Sequence, residues 1–312
     1  MKNPTPDLTV VTVCYNVVKG GRTSAFRNCI DSIRTQTFGS MEHLVVDGGS
    51  RDGTVDIIKE YDGQDGFRWI SEKDGGIYDA MNKGLRMARG RYVVFINTDD
   101  AFSDNGAVEA VMRSIKAEDA DYAFANADVY SENHSHFAYT WYSRIDDIPY
   151  GYYPCHQTVF CRTSALREIG GFPEKYMAND NLVMLRLVLR YKPVYVNRVV
   201  VNFHEGGASG AMVADKERMK RETVSFFYNE FGEANGLSKT DCELLYEKQI
   251  FHMAHDKKFE VGSKLKLSYW VRRFFEMDAA NCNAAIRPPV IREKRVRLKL
   301  FGVVPLMAVT VK

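Results

Sequence analysis

The chain has 312 residues, 45% of them hydrophobic and 26% charged, and a formal net charge of +2 at pH 7. This length can bury an α/β core of about 200 residues and still carry an extension, so we expect one main domain with an appendage. The six cysteines form no Cys-x-x-Cys pair and no closely spaced framework, which argues against a disulfide scaffold and favours a reducing compartment, the cytoplasm.

Neither end of the chain has the composition of an export or membrane signal. The N-terminus begins with residues 1–4 (MKNP) and lacks the apolar core of a signal peptide. The longest weakly polar run, residues 300–311, is shorter than the roughly 20 residues that span a bilayer. We therefore expect a chain that is neither secreted nor membrane-spanning.

The first predicted element is a strand, because residues 8–13 are an apolar run. Residues 14–16 (CYN) close it, and a polar turn with Gly20 and Gly21 follows. A helix comes next, since apolar residues then recur at helical spacing, at Phe26, Cys29, Ile30 and Ile33.

A second strand ends in a carboxylate. Residues 44–46 are apolar, Asp47 follows, and residues 48–53 (GGSRDG) lead to a helix start at Thr54. A later helix is predicted by the helical spacing of Ile77, Met81, Leu85 and Ala88, with Tyr78, Asn82 and Lys83 partly sharing another face.

The next strand also ends in carboxylates. Residues 92–96 (YVVFI) are typical of a strand covered on both faces, as in parallel sheets. Asp99 and Asp100 then lie at its carboxyl end, where open α/β sheets bind ligands and where carboxylates and substrate phosphates hold Mg²⁺ or Mn²⁺. The alternative is structural, because Asp and Asn also follow strands as helix caps or in Asx-turns.

The ordered motifs of the chain resemble those of family 2 glycosyltransferases. No single motif is decisive, but their order is, and the likeness covers about the first two thirds of the chain. The motifs are residues 13–16 (VCYN), 47–54 (DGGSRDGT), 72–84 (EKDGGIYDAMNKG), 97–100 (NTDD), 154–157 (PCHQ), 169–172 (IGGF), 179–180 (ND) followed by 185–187 (LRL), and 206–209 (GGAS).

The resemblance implies an α/β GT-A fold, Rossmann-like, with a mixed, mostly parallel sheet flanked by helices. It also implies inverting transfer from a nucleotide-activated sugar, usually with a divalent metal. We expect this domain at residues 1–210 and a mainly helical, basic extension at residues 211–312.

Residues for the nucleotide sugar follow from the motifs. A sugar nucleotide needs separate groups for its base, ribose, diphosphate and sugar. Thr12 and Asn16 offer hydrogen bonds, Tyr15 offers a stacking ring, and Asp47 can accept from a ring N–H or a ribose hydroxyl. The resemblance assigns the same region to Asp74 and, less directly, to Asp79, Asn82, Lys83, Thr98 and Asp99. An equally simple interpretation of Asp79 is a first-turn helix carboxylate favoured by the macrodipole.

A cation would stabilise the diphosphate leaving group, with Asp99 and Asp100 as its candidate ligands and Mn²⁺ or Mg²⁺ as the expected ion. Asn97 departs from the commonest family pattern, Asp-x-Asp-Asp, which leaves an amide oxygen in place of a carboxylate. His204 could contribute when the glycine-containing loop after it closes.

Asp180 is the expected general base for the acceptor hydroxyl, although Asn179 replaces the usual Glu before it. The alternative for Asp180 is an N-cap. His156 and Gln157 are expected to line the sugar and acceptor site, and the alternative for His156 is a core histidine bonded to backbone groups.

The charge is unevenly distributed. Residues 1–210 carry 23 Lys or Arg against 27 Asp or Glu, whereas residues 211–312 carry 19 against 13. Arginines alternate with aromatic and apolar residues in 269–275 and 292–301, a pattern that attracts both nucleic acid and anionic lipid. A solvated helix face is the alternative.

We expect a glycosyltransferase that transfers sugar to a saccharide acceptor, lipid-linked by family analogy, during surface polysaccharide assembly. Its partners would be the nucleotide-diphosphate sugar and an anionic membrane, not nucleic acid, on the cytoplasmic face of the plasma membrane. The alternatives are a non-catalytic subunit that binds sugar nucleotides, and a sugar nucleotidyltransferase, which would carry a glycine-rich phosphate loop after the first strand. The base, the sugar and the oligomeric state do not follow from the sequence.

Overall fold

The computed structural model describes residues 5–131, 136–143, 153–176, 179–206, 215–235 and 237–247, and two short strands near the C-terminus. The strands are β1 (Leu8–Cys14), β2 (Met41–Asp47), β3 (Phe67–Ser71), β4 (Tyr92–Phe95), β5 (Ala101–Phe102), β6 (Tyr122–Tyr130), β7 (Phe137–Trp141), β8 (Phe160–Arg162), β9 (Pro193–His204), β10 (Lys299–Leu300) and β11 (Val304–Pro305). The α-helices are α1 (Thr23–Arg34), α2 (Thr54–Lys59), α3 (Ile77–Met87), α4 (Ala107–Glu118), α5 (Thr163–Glu168), α6 (Asn179–Arg190), α7 (Lys216–Phe227) and α8 (Lys239–Glu247).

A nine-stranded mixed sheet organises the chain, in the order β3-β2-β1-β4-β8-β6-β9-β5, with β7 paired to β6. Strands β3, β2, β1 and β4 are parallel, and β6 is parallel to β9. Strand β8 joins these two parts through antiparallel pairs with β4 and β6. The expected fold class, a mixed and mostly parallel sheet flanked by helices, is confirmed.

Alternation along β1 gives each face of the sheet its own core. Val11 and Val13 pack into a cluster with α3, α5, α6 and α7, while Leu8 and Val10 face a cluster with α1 and α4. Every residue of β1 is buried, and so is every residue of β4. Strands covered on both faces are continuous apolar runs, which is why the sequence revealed them.

The carboxyl ends of the parallel strands form one edge. The register aligns Cys14 of β1 with Asp47 of β2, and Asp47 with Ser71 of β3. The chain after β4 continues past this edge to Asp99 and Asp100. The edge therefore collects polar residues that are far apart in the sequence, as ligand sites of open α/β sheets do.

Part of the predicted extension packs on the main domain. Val224, Phe226, Phe227 and Phe231 belong to the same hydrophobic cluster as α3 and α6. Arg186 of α6 donates to Glu230 at 2.7 Å. The boundary at residue 210 stays a prediction, and these contacts join the two sides of it.

None of the helices in the described ranges is both long and apolar enough to cross a bilayer. The five cysteines found there are free thiols and buried. The basic and aromatic segments 269–275 and 292–301 lie outside the described residues, except for the strand Lys299–Leu300, which pairs with Val304–Pro305.

Candidate active site

A cavity of about 540 Å³ opens at the carboxyl edge of the sheet. Polar groups from both halves of the sheet line it, including Arg22, Asn97 and Tyr78, which were not among the predicted site residues. The predicted residues in its wall are Tyr15, Asp74, Thr98, Asp99, Asp100, His156, Asp180 and His204.

Asp99 is paired with an arginine. Arg22 lies in the turn between β1 and α1, and its Nη1 is 3.2 Å from Asp99 Oδ1 and 3.4 Å from Thr98 Oγ1. The Arg22 side chain is one-third exposed, so its guanidinium is available from the cavity. A planar, permanently charged donor of this kind suits phosphate oxygens.

Asp100 is buried and both of its oxygens accept hydrogen bonds. Gln157 Nε2 donates to Oδ2 at 2.7 Å, and the backbone N–H of His204 donates to Oδ1 at 2.9 Å. Burial raises the pKa of Asp100 to about 7, although both hydrogen bonds act in the opposite direction. The residue thus ties the end of β4 to β9 and to the segment before β8.

The cavity wall contains oxygen ligands suited to Mg²⁺ or Mn²⁺. Asn97 Oδ1 is buried with no hydrogen-bond partner among the described residues, and Asp99 shares its cavity wall. His204, another predicted ligand, is also in the wall, with its ring stacked on Tyr130. In the described ranges, no three His, Cys, Asp or Glu side chains are arranged so that they could hold a metal ion by themselves. These residues fit a cation that is held jointly with phosphate oxygens, as Mg²⁺ commonly is.

Asp180 lies in the first turn of α6 and contacts two side chains. His156 Nδ1 lies 3.3 Å from Oδ2, and the Tyr78 hydroxyl donates to Oδ1 at 3.5 Å. Burial by itself would raise the pKa of Asp180, but the hydrogen bond and charge of His156, together with backbone N–H groups, hold the pKa below its usual value. A carboxylate in this setting is ionised at neutral pH and can accept a proton.

The end of β1 presents an aromatic ring. Tyr15 is 58% exposed at the cavity wall, which leaves its face open for stacking. Asn16 has a positive φ of 46°. Its backbone N–H donates to Ser50 at 2.7 Å, and its side-chain oxygen accepts from the backbone of Arg51. Asn16 therefore fixes the turn, and it is not in the cavity wall.

Thr12 and Asp47 are fully buried beneath that wall. Thr12 Oγ1 lies 3.0 Å from His43 Nε2. Asp47 accepts from Ser71 Oγ at 2.6 Å and from the backbone N–H groups of Gly49 and Ser50. Their roles at a nucleotide stay predictions, and in this structure both residues fix the strand ends.

Asp74 reaches the cavity because Gly48 has no side chain. A Cβ at Gly48 would lie 2.4 Å from Asp74 Oδ2, too close for any real contact. Asp79 and Lys83 instead stabilise the loop before α3. Asp79 accepts a hydrogen bond from the Gly75 N–H at 2.9 Å, and Lys83 donates to the carbonyl of Lys73 at 2.8 Å.

Asn82 and Gln157 also make structural contacts. Asn82 brackets Phe172 by donating to its carbonyl at 2.7 Å and accepting from its N–H at 2.9 Å. Gln157 is fully buried on Asp100. The glycine motif after His204 continues into residues 207–209, which lie outside the described residues.

Sequence reasoning missed Arg22 although a weak signal was present. Arg22 immediately precedes α1 in the turn after the first strand, a position that faces the ligand edge of such sheets. Tyr78 was noted only as part of a polar helix face. The sequence does not reveal the partner of either residue. Arg22 pairs with Asp99, and Tyr78 pairs with Asp180, through contacts between segments that are distant in the chain.

The chain is similar in sequence to known proteins. The family model described as glycosyl transferase family 2 matches residues 9–169. A "PGL/p-HBAD biosynthesis glycosyltransferase" of Mycobacterium tuberculosis is 31% identical over 207 residues, which is 63% of this chain and 78% of that protein. An uncharacterized glycosyltransferase of the same species is 28% identical over 225 residues, covering 69% and 83%.

Solved structures share the fold at low identity. Staphylococcus aureus TarS 1-349 in complex with UDP-GlcNAc has a TM-score of 0.60 and 19% identity, with 88% of this chain and 81% of that chain covered. The mannosyltransferase PcManGT from Pyrobaculum calidifontis, in complex with GDP-Man and Mn²⁺, has a TM-score of 0.54 and 16% identity, with 89% and 86% covered.

Proposed function

The chain belongs to glycosyl transferase family 2, and we propose that it transfers one sugar from a nucleoside-diphosphate sugar to a saccharide hydroxyl, with inversion at the anomeric carbon. The observation that carries this proposal is the cavity that joins Arg22 and Asp99 to Asp180. An anion-binding group and a proton acceptor are the two functions that such a transfer requires.

The donor binds along the carboxyl edge of the parallel strands. Tyr15 stacks on the base, Asp74 accepts hydrogen bonds from the nucleoside, and Arg22 donates to the diphosphate. The complexes of TarS with UDP-GlcNAc and of PcManGT with GDP-Man support a donor of this class, since both proteins share this fold.

Mg²⁺ or Mn²⁺ would be held by Asp99 and the free Asn97 oxygen, with His204 beside them. When bound, the ion supplies Lewis-acid stabilisation of the leaving diphosphate. Arg22 contributes a second positive charge to the diphosphate. This charge offsets the weaker binding of a cation that follows when Asn97 replaces the first carboxylate of the usual motif.

Asp180 takes the acceptor proton. The acceptor oxygen attacks the anomeric carbon, the bond from that carbon to the phosphate oxygen breaks, and the nucleoside diphosphate leaves with the electron pair. The proton of the hydroxyl goes to the Asp180 carboxylate, which is ionised beforehand and lines the same cavity.

The acceptor is a saccharide that we propose to be lipid-linked, with the enzyme peripheral on the inner face of the plasma membrane. The support is the basic character of residues 211–312 and their alternating arginines and aromatic residues. Family membership favours this transfer over sugar-nucleotide synthesis or a purely binding subunit.

The test begins with donor selection. A panel of UDP-, GDP- and dTDP-sugars is screened by thermal shift with and without Mn²⁺, and the stabilising donor is then followed through hydrolysis, in which water replaces the acceptor hydroxyl. We expect one nucleotide to stabilise the protein and to be turned over. If no sugar nucleotide binds or turns over, the proposed function is wrong.

Asp180→Asn examines the base directly. We expect hydrolysis and transfer to fall by about 10²-fold or more, the usual worth of a general base, with the Kd for the donor nearly unchanged. Asp56→Asn on the exposed face of α2 is the matched control and should retain full activity. Activity of Asp180→Asn within about threefold of the wild type would remove Asp180 from this role.

A further inference from the structure

One short turn contacts two carboxylates of the cavity wall. The 3₁₀ turn His156–Thr158 directs Gln157 to Asp100, at 2.7 Å, and His156 to Asp180, at 3.3 Å. Two adjacent side chains therefore connect the carboxylate next to the donor site with the proposed base.

The turn is fixed to the sheet. Thr158 Oγ1 lies 2.9 and 2.8 Å from the carbonyl oxygens of Ala125 and Cys155, and its single hydroxyl hydrogen is shared between them. Gln157 and Thr158 have no exposed surface. Rotation of the turn would break several buried hydrogen bonds at once, and a buried group without its partner typically costs about 1–3 kcal/mol. His156 thus projects from a rigid base.

We propose that His156 is a positioning residue, which uses its Nδ1–H to hold the Asp180 carboxylate in the orientation that receives the acceptor proton. The inference rests on the proposed function, in which Asp180 is the base. It assigns His156 a role through Asp180 and not through direct contact with the donor.

The other ring nitrogen supports positioning over proton transfer by the imidazole. His156 Nε2 is buried and has no hydrogen-bond partner among the described residues. A hydrogen bond to Asp180 requires the proton on Nδ1, so Nε2 of the neutral ring carries the lone pair. Because Nε2 is buried, its lone pair cannot contact an acceptor hydroxyl.

The second oxygen of Asp180 is restrained from α3. The Tyr78 hydroxyl donates to Oδ1 at 3.5 Å, and its ring stacks on Phe172, whose backbone Asn82 brackets. His156 and Tyr78 thus approach the carboxylate from different elements, which fixes its plane. Catalysis gains from such fixed geometry, because misplacement by about 1 Å can cost 10²-fold in rate.

Besides His156, three titratable side chains in the part of the chain that the structure describes interact electrostatically with Asp180. Tyr78 from α3, and Tyr153 and Cys155 from the segment before the turn, all have pKa values raised by burial, so they are neutral in the working pH range. The hydrogen bond of His156 is the largest contribution that lowers the pKa of Asp180. Removing His156 should raise that pKa.

Two substitutions separate positioning from packing. Asn can present its amide N–H near the position of Nδ1, whereas Ala cannot, so His156→Asn should restore what His156→Ala loses. For the donor selected by the panel, we expect His156→Ala to lower kcat for hydrolysis about tenfold, a part of the 10²–10⁴-fold that a general base supplies. The acid limb of its pH profile should move to higher pH. Donor Kd should stay the same in both variants.

The outcomes are distinguishable. If Asp180→Asn is inactive but His156→Ala has an unshifted acid limb and kcat within twofold of the wild type, the positioning role is wrong and the proposed function stands. If His156→Asn is as inactive as Asp180→Asn, the imidazole itself carries the proton and the positioning role is again wrong. If Asp180→Asn retains activity, the base assignment fails first. Circular dichroism confirms that each variant is folded.

Discussion

Arg22 and Asn97 determine the charge at the proposed diphosphate site. Asn97 replaces a carboxylate of the common motif by a neutral amide, while Arg22 adds a cation 3.2 Å from Asp99. The site is therefore more positive than two carboxylates alone would make it. Under the proposed function, tight diphosphate binding depends on both the arginine and a divalent ion.

Asp99→Ala should weaken donor binding in Mn²⁺ or Mg²⁺ and make the remaining affinity insensitive to chelator. Asp99 is a carboxylate of the cavity wall, and Asn97 in the same wall has an amide oxygen without a hydrogen-bond partner among the described residues. Isothermal titration with and without excess EDTA measures both effects. Asp56→Ala serves as control. Equal binding and turnover by the wild-type protein in EDTA would show that the enzyme does not use a metal.

His43 should make the protein less stable in acid. Burial and the charge of Arg34 lower its pKa to about 3, against about 6.5 in the unfolded chain. Below pH 6.5 the unfolded state binds a proton that the folded state excludes, so stability is lost as the pH falls towards 3, by at most about 1.4 kcal/mol per pH unit.

Urea unfolding of the wild type and His43→Gln between pH 7.5 and 4 measures this effect. The glutamine can keep a hydrogen bond to Thr12 but cannot be charged, so its free energy of unfolding should fall less steeply. Parallel pH profiles of the two proteins would contradict the assignment.

At the level of helices and strands, close packing of α3 on β1 positions the cavity wall. A Cβ on Gly84 would lie 2.4 Å from Val11 Cγ1. This contact brings the first turn of α3, with Tyr78, to the end of β1. Gly84 is needed because it lets α3 approach β1 closely. Its backbone conformation does not require glycine, because it lies within the helix.

Gly84→Ala involves two opposed effects. Alanine favours a helix over glycine by about 1 kcal/mol, but overpacking a filled core costs about 1–3 kcal/mol. Since the new methyl group would meet a β-branched side chain on a central strand, we expect a net destabilisation of about 1 kcal/mol or more in urea unfolding. Gly39→Ala, where a Cβ would meet nothing within 4 Å, is the control. A stabilised Gly84→Ala protein would mean that α3 can move away from β1.

The sequence allowed the strands and the ligand edge to be predicted, because buried parallel strands are continuous apolar runs followed by polar residues. It did not allow the pairing of side chains to be predicted. Thr12 and Asp47 have the right chemistry for a nucleotide, yet their hydrogen bonds go to His43 and Ser71. Which polar group faces the cavity depends on contacts between distant segments, and no local pattern encodes these.

For the molecule as a whole, the described part of the extension belongs to the main core. Phe226, Phe227 and Phe231 pack with α6, and Glu230 pairs with Arg186 and Arg190. A chain that ended at residue 210 would expose that surface. A functional boundary is therefore better sought beyond α8.

Truncation before Lys264 keeps α7 and α8 and should retain donor binding, while it should abolish co-sedimentation with anionic liposomes. Six Lys or Arg residues lie between Arg287 and Lys299. Each cation near such a surface contributes about 1 kcal/mol, so binding of the full-length chain should be salt-sensitive. Neutral liposomes are the control. Full-length protein that ignores anionic liposomes at low salt would leave the tail as a solvated appendage.

Two separate parts of the chain contribute the wall of the cavity. The proposed donor contacts come from residues before 101, and the base with its positioning residue comes from residues after 153, with Asp100 bonded to Gln157 and His204 at the seam. Under the proposed roles, recombination within the intervening segment would exchange the half that carries the base while keeping the half that carries the donor contacts. Chimeras should keep both halves in register when they conserve Asp100 and Gln157, because His204 contributes only its backbone N–H to this seam.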